Sequence, residues 1–241
     1  MTGQMTVVYA LEKPPDHYEK SLFLAGPTPR DQSVKSWRPQ ALQLLKDEGY
    51  DGVVYVPEDR PDANGVTKFH GNYDGQVGWE ETHLHMADVI LFWVPRDTAT
   101  MPAFTTNDEW GFWKKSGKVV FGAPETAEKC RYQFHYAHKF GAPAESSLHD
   151  TVRSALNLLG KGNLRNGGER EVPLYIWRTA QFQEWYTEHF LTGNTLERVR
   201  VEWVHRDEST GYQVKDWVLD VTVHLAKENC DVSSMIYSVH L

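Results

Sequence analysis

The sequence predicts an α/β domain built on a mainly parallel, doubly wound sheet, followed by a small α+β module. Three observations point there. Four short apolar runs are separated by stretches with helical periodicity, which calls for crossover connections and a sheet covered on both faces. Each run stops at a glycine or proline turn: Gly26-Pro27, Pro57-Glu58, Pro95-Arg96 and Gly122-Pro124. Towards the C-terminus the helical period gives way to apolar/polar alternation, the pattern of half-buried antiparallel strands.

Taken in order, Ser21 to Ala25 is the first strand, ended by Gly26-Pro27. Gln32 to Glu48 reads as a helix, because Trp37, Ala41, Leu42, Leu44 and Leu45 recur at helical spacing and Gly49 supplies a stop. Val53 to Val56 is the second strand. Asp59 to Gly78 is polar and glycine-rich, a loop long enough to expect a function of it. Trp79 to Met86 reads as helix and Asp88 to Val94 as the third strand, with Asp88 in a capping or turn role. A second loop, Pro95 to Asn107, precedes a helix over Asp108 to Lys115. Val119 to Gly122 is the fourth strand and Ser147 to Leu159 closes the domain as a helix.

This gives a domain over residues 1–160. The charged, glycine-rich stretch 161–171 reads as a linker and 172–241 as the small module. Within the module, Phe182 to Phe190 fits an amphipathic helix, while Val199 to Val204, Trp217 to Leu225 and Ser234 to Val239 alternate as strands. The module carries no glutamate-rich Nudix helix signature, so pyrophosphatase chemistry is not expected. A core of about 70 residues is marginal alone, so it would lean on a neighbour.

Composition narrows the function. The chain has 241 residues and a formal net charge of -8, which argues against a nucleic-acid binder with its basic face. No apolar run approaches the roughly 20 residues of a membrane helix. The start lacks a basic stretch followed by a signal-peptide core, and a cytoplasmic protein is expected. The two cysteines, Cys130 and Cys230, make no metal-ligand spacing. His83 and His85, or His135 and His138, lack the third ligand of a metal motif, so neither metal nor other cofactor is expected.

The candidate chemistry lies in acids at the strand ends. Ligands of open α/β sheets gather at the C-terminal ends of strands. Glu109 follows the polar Thr105-Thr106-Asn107 turn, and Glu80 precedes the third strand. Two carboxylates converging on one cleft suit glycosidic chemistry, one as nucleophile and the other managing the leaving-group proton. Burial beside Trp79 would raise the Glu80 pKa towards that task. Trp79 and Trp110, each next to an acid, are the candidates to stack a ring of the ligand. Gly26, with Pro27, would let the backbone approach a ligand closely.

The ordered pieces Phe23-Leu24-Ala25-Gly26-Pro27-Thr28-Pro29-Arg30, Ser36-Trp37-Arg38-Pro39, Gly52-Val53-Val54 with Pro57-Glu58, Trp79-Glu80, Ala87 to Phe92, and Ala103 to Gly111 span Leu22 to Arg131. Together they resemble the nucleoside 2-deoxyribosyltransferase superfamily, in its divergent nucleoside 2-deoxyribosyltransferase-like branch. The resemblance implies a flavodoxin-like fold, a small-molecule nucleoside or nucleotide as partner, and a homo-oligomer in which a neighbour completes the site. It also implies that Glu109 attacks C1′ of the sugar, with Glu80 at the other end of the cleft.

Two positions depart from the family pattern. Phe23 stands where the family has a tyrosine that orients the nucleophile, and Ala103 stands where it has an acid. Thr105, Thr106 and Asn107 are placed to supply replacement contacts. Arg30 and Arg38 would meet a phosphate if the substrate were a nucleotide. Hydrolysis and transfer are both compatible with this site. Cleavage of NAD or an ADP-ribose derivative, and nucleotide binding without turnover, are the alternatives.

Overall fold

The computed structural model describes residues 4–16, 18–29, 34–62, 71–160, 194–206, 216–227 and 230–240. The chain divides into two compact units, Met1–Asp16 with Lys20–Gly162, and His17–Glu19 with Asn163–Leu241.

The first unit runs β1 (Thr6–Tyr9), β2 (Ser21–Ala25), α1 (Arg38–Asp47), β3 (Val53–Val56), α2 (Tyr73–Met86), β4 (Val89–Trp93), α3 (Phe104–Trp113), β5 (Val119–Gly122), α4 (Arg131–Lys139), β6 (Ala144–Glu145) and α5 (Leu148–Leu159). Its six strands form one sheet in the order β1-β3-β2-β4-β5-β6, and every pairing is parallel. Setting aside β1 on the outer edge, this is the flavodoxin-like order, with the direction of winding reversing between β2 and β4. The strands β2, β3, β4 and β5 are buried along their whole length, as continuous apolar runs in a sheet covered on both faces should be. The two elements not expected from sequence are β1 and β6, while α4 contains the helix that the spacing of His135 and His138 suggests. The two strands are edge pieces of four and two residues, too short to carry a period. Helix α4 carries His135 and His138.

Three helix starts differ from expectation, and each has a local cause. Helix α1 begins at Arg38 rather than Gln32, with proline in its first turn, where a missing N–H costs nothing. Helix α2 begins six residues earlier than the expected Trp79, because Asn72 accepts a hydrogen bond from Gly75 N (3.1 Å) and starts the helix inside the supposed loop. Helix α3 begins at Phe104, so Thr105, Thr106 and Asn107 form helix instead of a turn. Its start is Ala103 in the left-handed conformation (φ 60°), whose carbonyl accepts from Asn107 N.

Two buried polar groups fasten the end of the sheet remote from the turns. Asp88 accepts from Ser21 N (2.8 Å) and Ser21 Oγ (2.9 Å), tying β4 to β2 in the structural role expected of it. Lys118 donates to Leu84 O (2.6 Å) and Ala87 O (3.0 Å), placing its charge on the carbonyl end of α2.

The second unit contains a three-stranded antiparallel sheet, β7 (Asn194–Arg206), β8 (Asp216–Lys227) and β9 (Cys230–His240), in sequential order. The three expected strands fall inside these longer ones. The expected linker over 161–171 and helix over 182–190 lie outside the described residues. Among the described residues no helix is long and apolar enough to cross a membrane.

Candidate active site

A cavity of about 200 Å³ opens where the strand order reverses, bounded by the turns after β2 and β3, one face of α2 and the start of α3. Its construction begins with Gly26. There the backbone takes φ 150°, and a Cβ would sit 2.1 Å from the Trp93 carbonyl oxygen and 2.8 Å from the Trp37 ring, so only glycine fits. This close approach lets the Gly26-Pro27-Thr28 turn fold over the end of β4.

Arg38 holds that turn from below. It is only 1% exposed. Its Nε donates to Leu24 O (3.1 Å) and its Nη2 to Gly26 O (2.7 Å). Nη1 reaches Glu58 Oε1 (2.6 Å), Thr28 Oγ1 (3.1 Å) and Pro27 O (3.4 Å). The guanidinium is therefore committed to the protein and is not the phosphate anchor expected of it. Its charge nevertheless acts on the two carboxylates above.

Those carboxylates arrive on two helices. On α2, Tyr73, Gln76, Val77 and Glu80 share one face by their spacing of three, four and seven, and all four line the cavity. On α3, Phe104, Thr105, Thr106 and Glu109 line it from the first one and a half turns of the helix. Both acids are half-buried. Gln76 Nε2 donates to Glu80 Oε1 (2.8 Å). Burial raises the Glu80 pKa above its ordinary value, against the pull of that hydrogen bond and of Arg38. Glu109 is pushed up to about 8, first by burial and then by the negative charge of Glu80, with Arg38 opposing. With burial raising both acids and the Glu80 charge raising Glu109 further, the pair retains one proton over the intermediate pH range.

Of the sequence candidates, the structure brings Gly26, Pro27, Glu80, Thr105, Thr106 and Glu109 to the cavity lining. Four others lie elsewhere. Phe23 is fully buried in the sheet, 6.2 Å from the Trp79 ring. Trp79 faces the core, stacked on His83 (4.2 Å), with its Nε1 donating to Glu12 O (2.9 Å). Trp110 packs between Phe92 and Phe121, at 5.3 and 5.0 Å. Asn107 turns away to accept from Arg96 Nη2. The reason is common to both tryptophans: a helical neighbour of an outward-facing acid is rotated by about 100° and meets the sheet instead. Arg30 lies outside the described residues. Sequence reading missed Phe104 and also Tyr73, Gln76 and Val77, whose spacing from Glu80 becomes a signal once the start of α2 is known.

Residues 19–127 match the model of the family described as nucleoside 2-deoxyribosyltransferase like. No curated protein matches the chain at a significant level. The matched segment contains β2 to β5 and every residue named at the cavity, and over this part of its α/β unit the chain is similar to the nucleoside 2-deoxyribosyltransferase-like family.

Proposed function

We propose that the cavity cleaves or exchanges the N-glycosidic bond of a nucleoside, with Glu109 as nucleophile and Glu80 as acid. The observation that carries this reading is the pairing of the two carboxyls across one cavity, each raised and together retaining a proton near neutral pH. In the first step a Glu109 carboxylate oxygen bonds to C1′ as the C1′–N bond breaks. The bond pair leaves with the base nitrogen, which takes the proton from Glu80. In the second step water, or the N–H of an incoming base, gives its proton to Glu80 and bonds to C1′, and the ester to Glu109 breaks. Two inversions return the original configuration. The working form is the singly protonated pair: at rest its proton sits on Glu109, raised to about 8, and its passage to Glu80 frees the nucleophile.

An uncharged nucleoside fits better than a nucleotide. Arg38 is the cation in the described lining, and its donors are taken by carbonyls, Thr28 and Glu58. Two carboxyls with no free cation beside them among the described residues disfavour a phosphate. The same argument weighs against NAD and its pyrophosphate. A second reading, binding without turnover, draws on Phe23 and Ala103, where the family pattern has a hydroxyl and an acid. The proposal includes a homo-oligomer, for which light scattering after gel filtration is the test. It also includes a domain division at 161–171, for which limited proteolysis is the test.

The deciding experiment follows products chromatographically from nucleosides, deoxynucleosides, their monophosphates and NAD, with and without an acceptor base, for the intact protein and Glu109→Ala. Free base released only by the intact protein identifies hydrolysis. A new nucleoside formed only with acceptor base identifies transfer. Ligand-induced thermal stabilisation with no product from any substrate overturns catalysis and leaves the binding reading.

A further inference from the structure

Gln76 stands one helical turn before Glu80 on α2, and its amide is caught between two acceptors. Its Nε2 donates to Glu80 Oε1 (2.8 Å) and to the Pro57 carbonyl oxygen (3.4 Å) in the turn after β3. An amide nitrogen has two hydrogens, so one serves each acceptor. The group cannot flip without setting its oxygen against a carboxylate and a carbonyl. The backbone is fixed as well, because Gln76 N donates to Asn72 O (3.0 Å) in the first turn of α2. On an exposed helix face, a glutamine paired with an acid four residues on adds little. Here the pair lines a cavity in which burial penalises the Glu80 charge, and a donor to the carboxylate counts for more.

We propose that Gln76 is a positioning residue for the acid: by holding Glu80 Oε1 it leaves Oε2 as the oxygen that receives the proton and delivers it to the leaving base. The inference rests on the glycosidic reading above and gives Gln76 an action through Glu80. In the transfer, the Glu109 O–H bond breaks and its electron pair stays on Glu109, which becomes the nucleophile. A lone pair on Glu80 Oε2 takes the proton. An oxygen that carries a proton is the weaker acceptor, so the Gln76 bond favours the acid form in which Oε1 is the carbonyl. Before the transfer, the same bond favours the Glu80 carboxylate and so keeps the resting proton on Glu109. The other charges acting on the pair are Arg38 on α1, which lowers both acids, and Asp108 on α3, which raises Glu109. Substitutions at Gln76 leave both in place.

The test uses the full-length protein with Gln76→Leu and Gln76→Met, side chains of similar size without a donor, alone and in the Glu80→Gln background. Carbon NMR on protein labelled at its glutamate carboxyls follows the titrations, with Glu80→Gln assigning the Glu80 signal. The pH profiles of kcat and KM are measured on the best nucleoside substrate. In both donor-free variants the Glu80 midpoint moves up, and the acid limb of the profile moves up with it. Their kcat falls roughly ten-fold with KM changed by less than about three-fold, the weight of one hydrogen bond to a charged group. In the Glu80→Gln background the same substitutions change kcat by no more than about two-fold, because their effect runs through the Glu80 carboxyl. A further fall there as large as in the parent protein overturns the proposal. A Glu80 midpoint that stays in place in both variants overturns it too, and leaves Glu109 and Glu80 as catalytic residues. A change in only one of the two variants describes that side chain's packing and has the same consequence. If the midpoint rises but the intact protein releases no base from any nucleoside, the hold of Gln76 on Glu80 stands and the glycosidic reading fails.

Discussion

Replacing Glu109 by glutamine removes a carboxyl whose pKa burial holds near 8, and the consequence for stability depends on pH with a defined sign. Below the ordinary value of 4.5 the carboxyl is neutral in the folded and the unfolded chain, so glutamine and glutamic acid differ little in charge. As pH rises past 4.5 the unfolded chain releases its proton, while the folded protein keeps it until about 8. The wild type loses stability across that window, and above it the deficit is constant. At about 1.4 kcal/mol per pH unit, the interval from 4.5 to about 8 sets a ceiling on the order of 5 kcal/mol. The cavity opens to water and Glu80 shares the proton, so about 2–3 kcal/mol is the expected net effect.

For a unit of this size, 1 kcal/mol corresponds to about 3 °C in Tm, so Glu109→Gln should gain about 6–9 °C relative to wild type between pH 5 and pH 9. Thermal unfolding of both proteins by circular dichroism at half-unit pH intervals measures the gap. All other titrating groups are common to the two chains, so only the trend of the gap matters, not its value at pH 5. A gap that stays within about 2 °C over this range refutes the buried, proton-retaining carboxyl. A gap that widens towards acid refutes the sign.

Four further outcomes follow from the same geometry. The kcat/KM profile should be bell-shaped, with its alkaline limb near the Glu109 value of about 8 and its acid limb above 4.5. Glu80→Gln should lower kcat by about 10²–10⁴-fold and turn the bell into a single rise with pH at a value below about 8, and a retained alkaline limb would refute the acid role. Gly26→Ala should cost about 3 kcal/mol or more, because its Cβ meets the Trp93 backbone and its φ favours glycine; a denaturant midpoint shifted by less than about 0.5 kcal/mol would contradict this. Arg38→Lys should cost about 3 kcal/mol in the same assay, because an ammonium cannot serve Leu24, Gly26 and Glu58 together, and wild-type stability would refute the wiring assigned to it.

The sheet was legible where its strands are buried on both faces, since Leu22 to Ala25, Val53 to Val56, Val89 to Trp93 and Val119 to Gly122 are apolar without interruption. Helix starts were less so. Asn72 caps α2 amid Gly71, Gly75 and Gly78, and those glycines hide the helix behind a loop-like composition. Ala103 starts α3 through a left-handed conformation that alanine seldom takes, with no side-chain cap to announce it. The errors in the site follow from these starts. Without the beginning of α2 the face shared by Tyr73, Gln76, Val77 and Glu80 has no period to detect. Sequence adjacency then drew attention to Trp79 and Trp110, which helical geometry turns into the core. Arg38 was visible as a cation, but its burial depends on the turn after β2 folding back over it.

The helix starts also decide the chemistry of the acids. A helix beginning at Asp108 would put Glu109 in its first turn, where the positive end of the dipole favours a carboxylate and lowers its pKa. With α3 beginning at Phe104, Glu109 lies in the second turn, and with α2 beginning at Tyr73, Glu80 lies two turns in. The dipole falls off within the first turn, so neither acid gains from it. Burial then wins for both acids, the Glu80 charge adds to it at Glu109, and both pKa values rise. One left-handed residue, Ala103, and one capping residue, Asn72, therefore separate a surface acid pair from a pair that retains a proton at neutral pH. Those two positions, rather than the glutamates alone, are where a search for the same chemistry in related sequences should look.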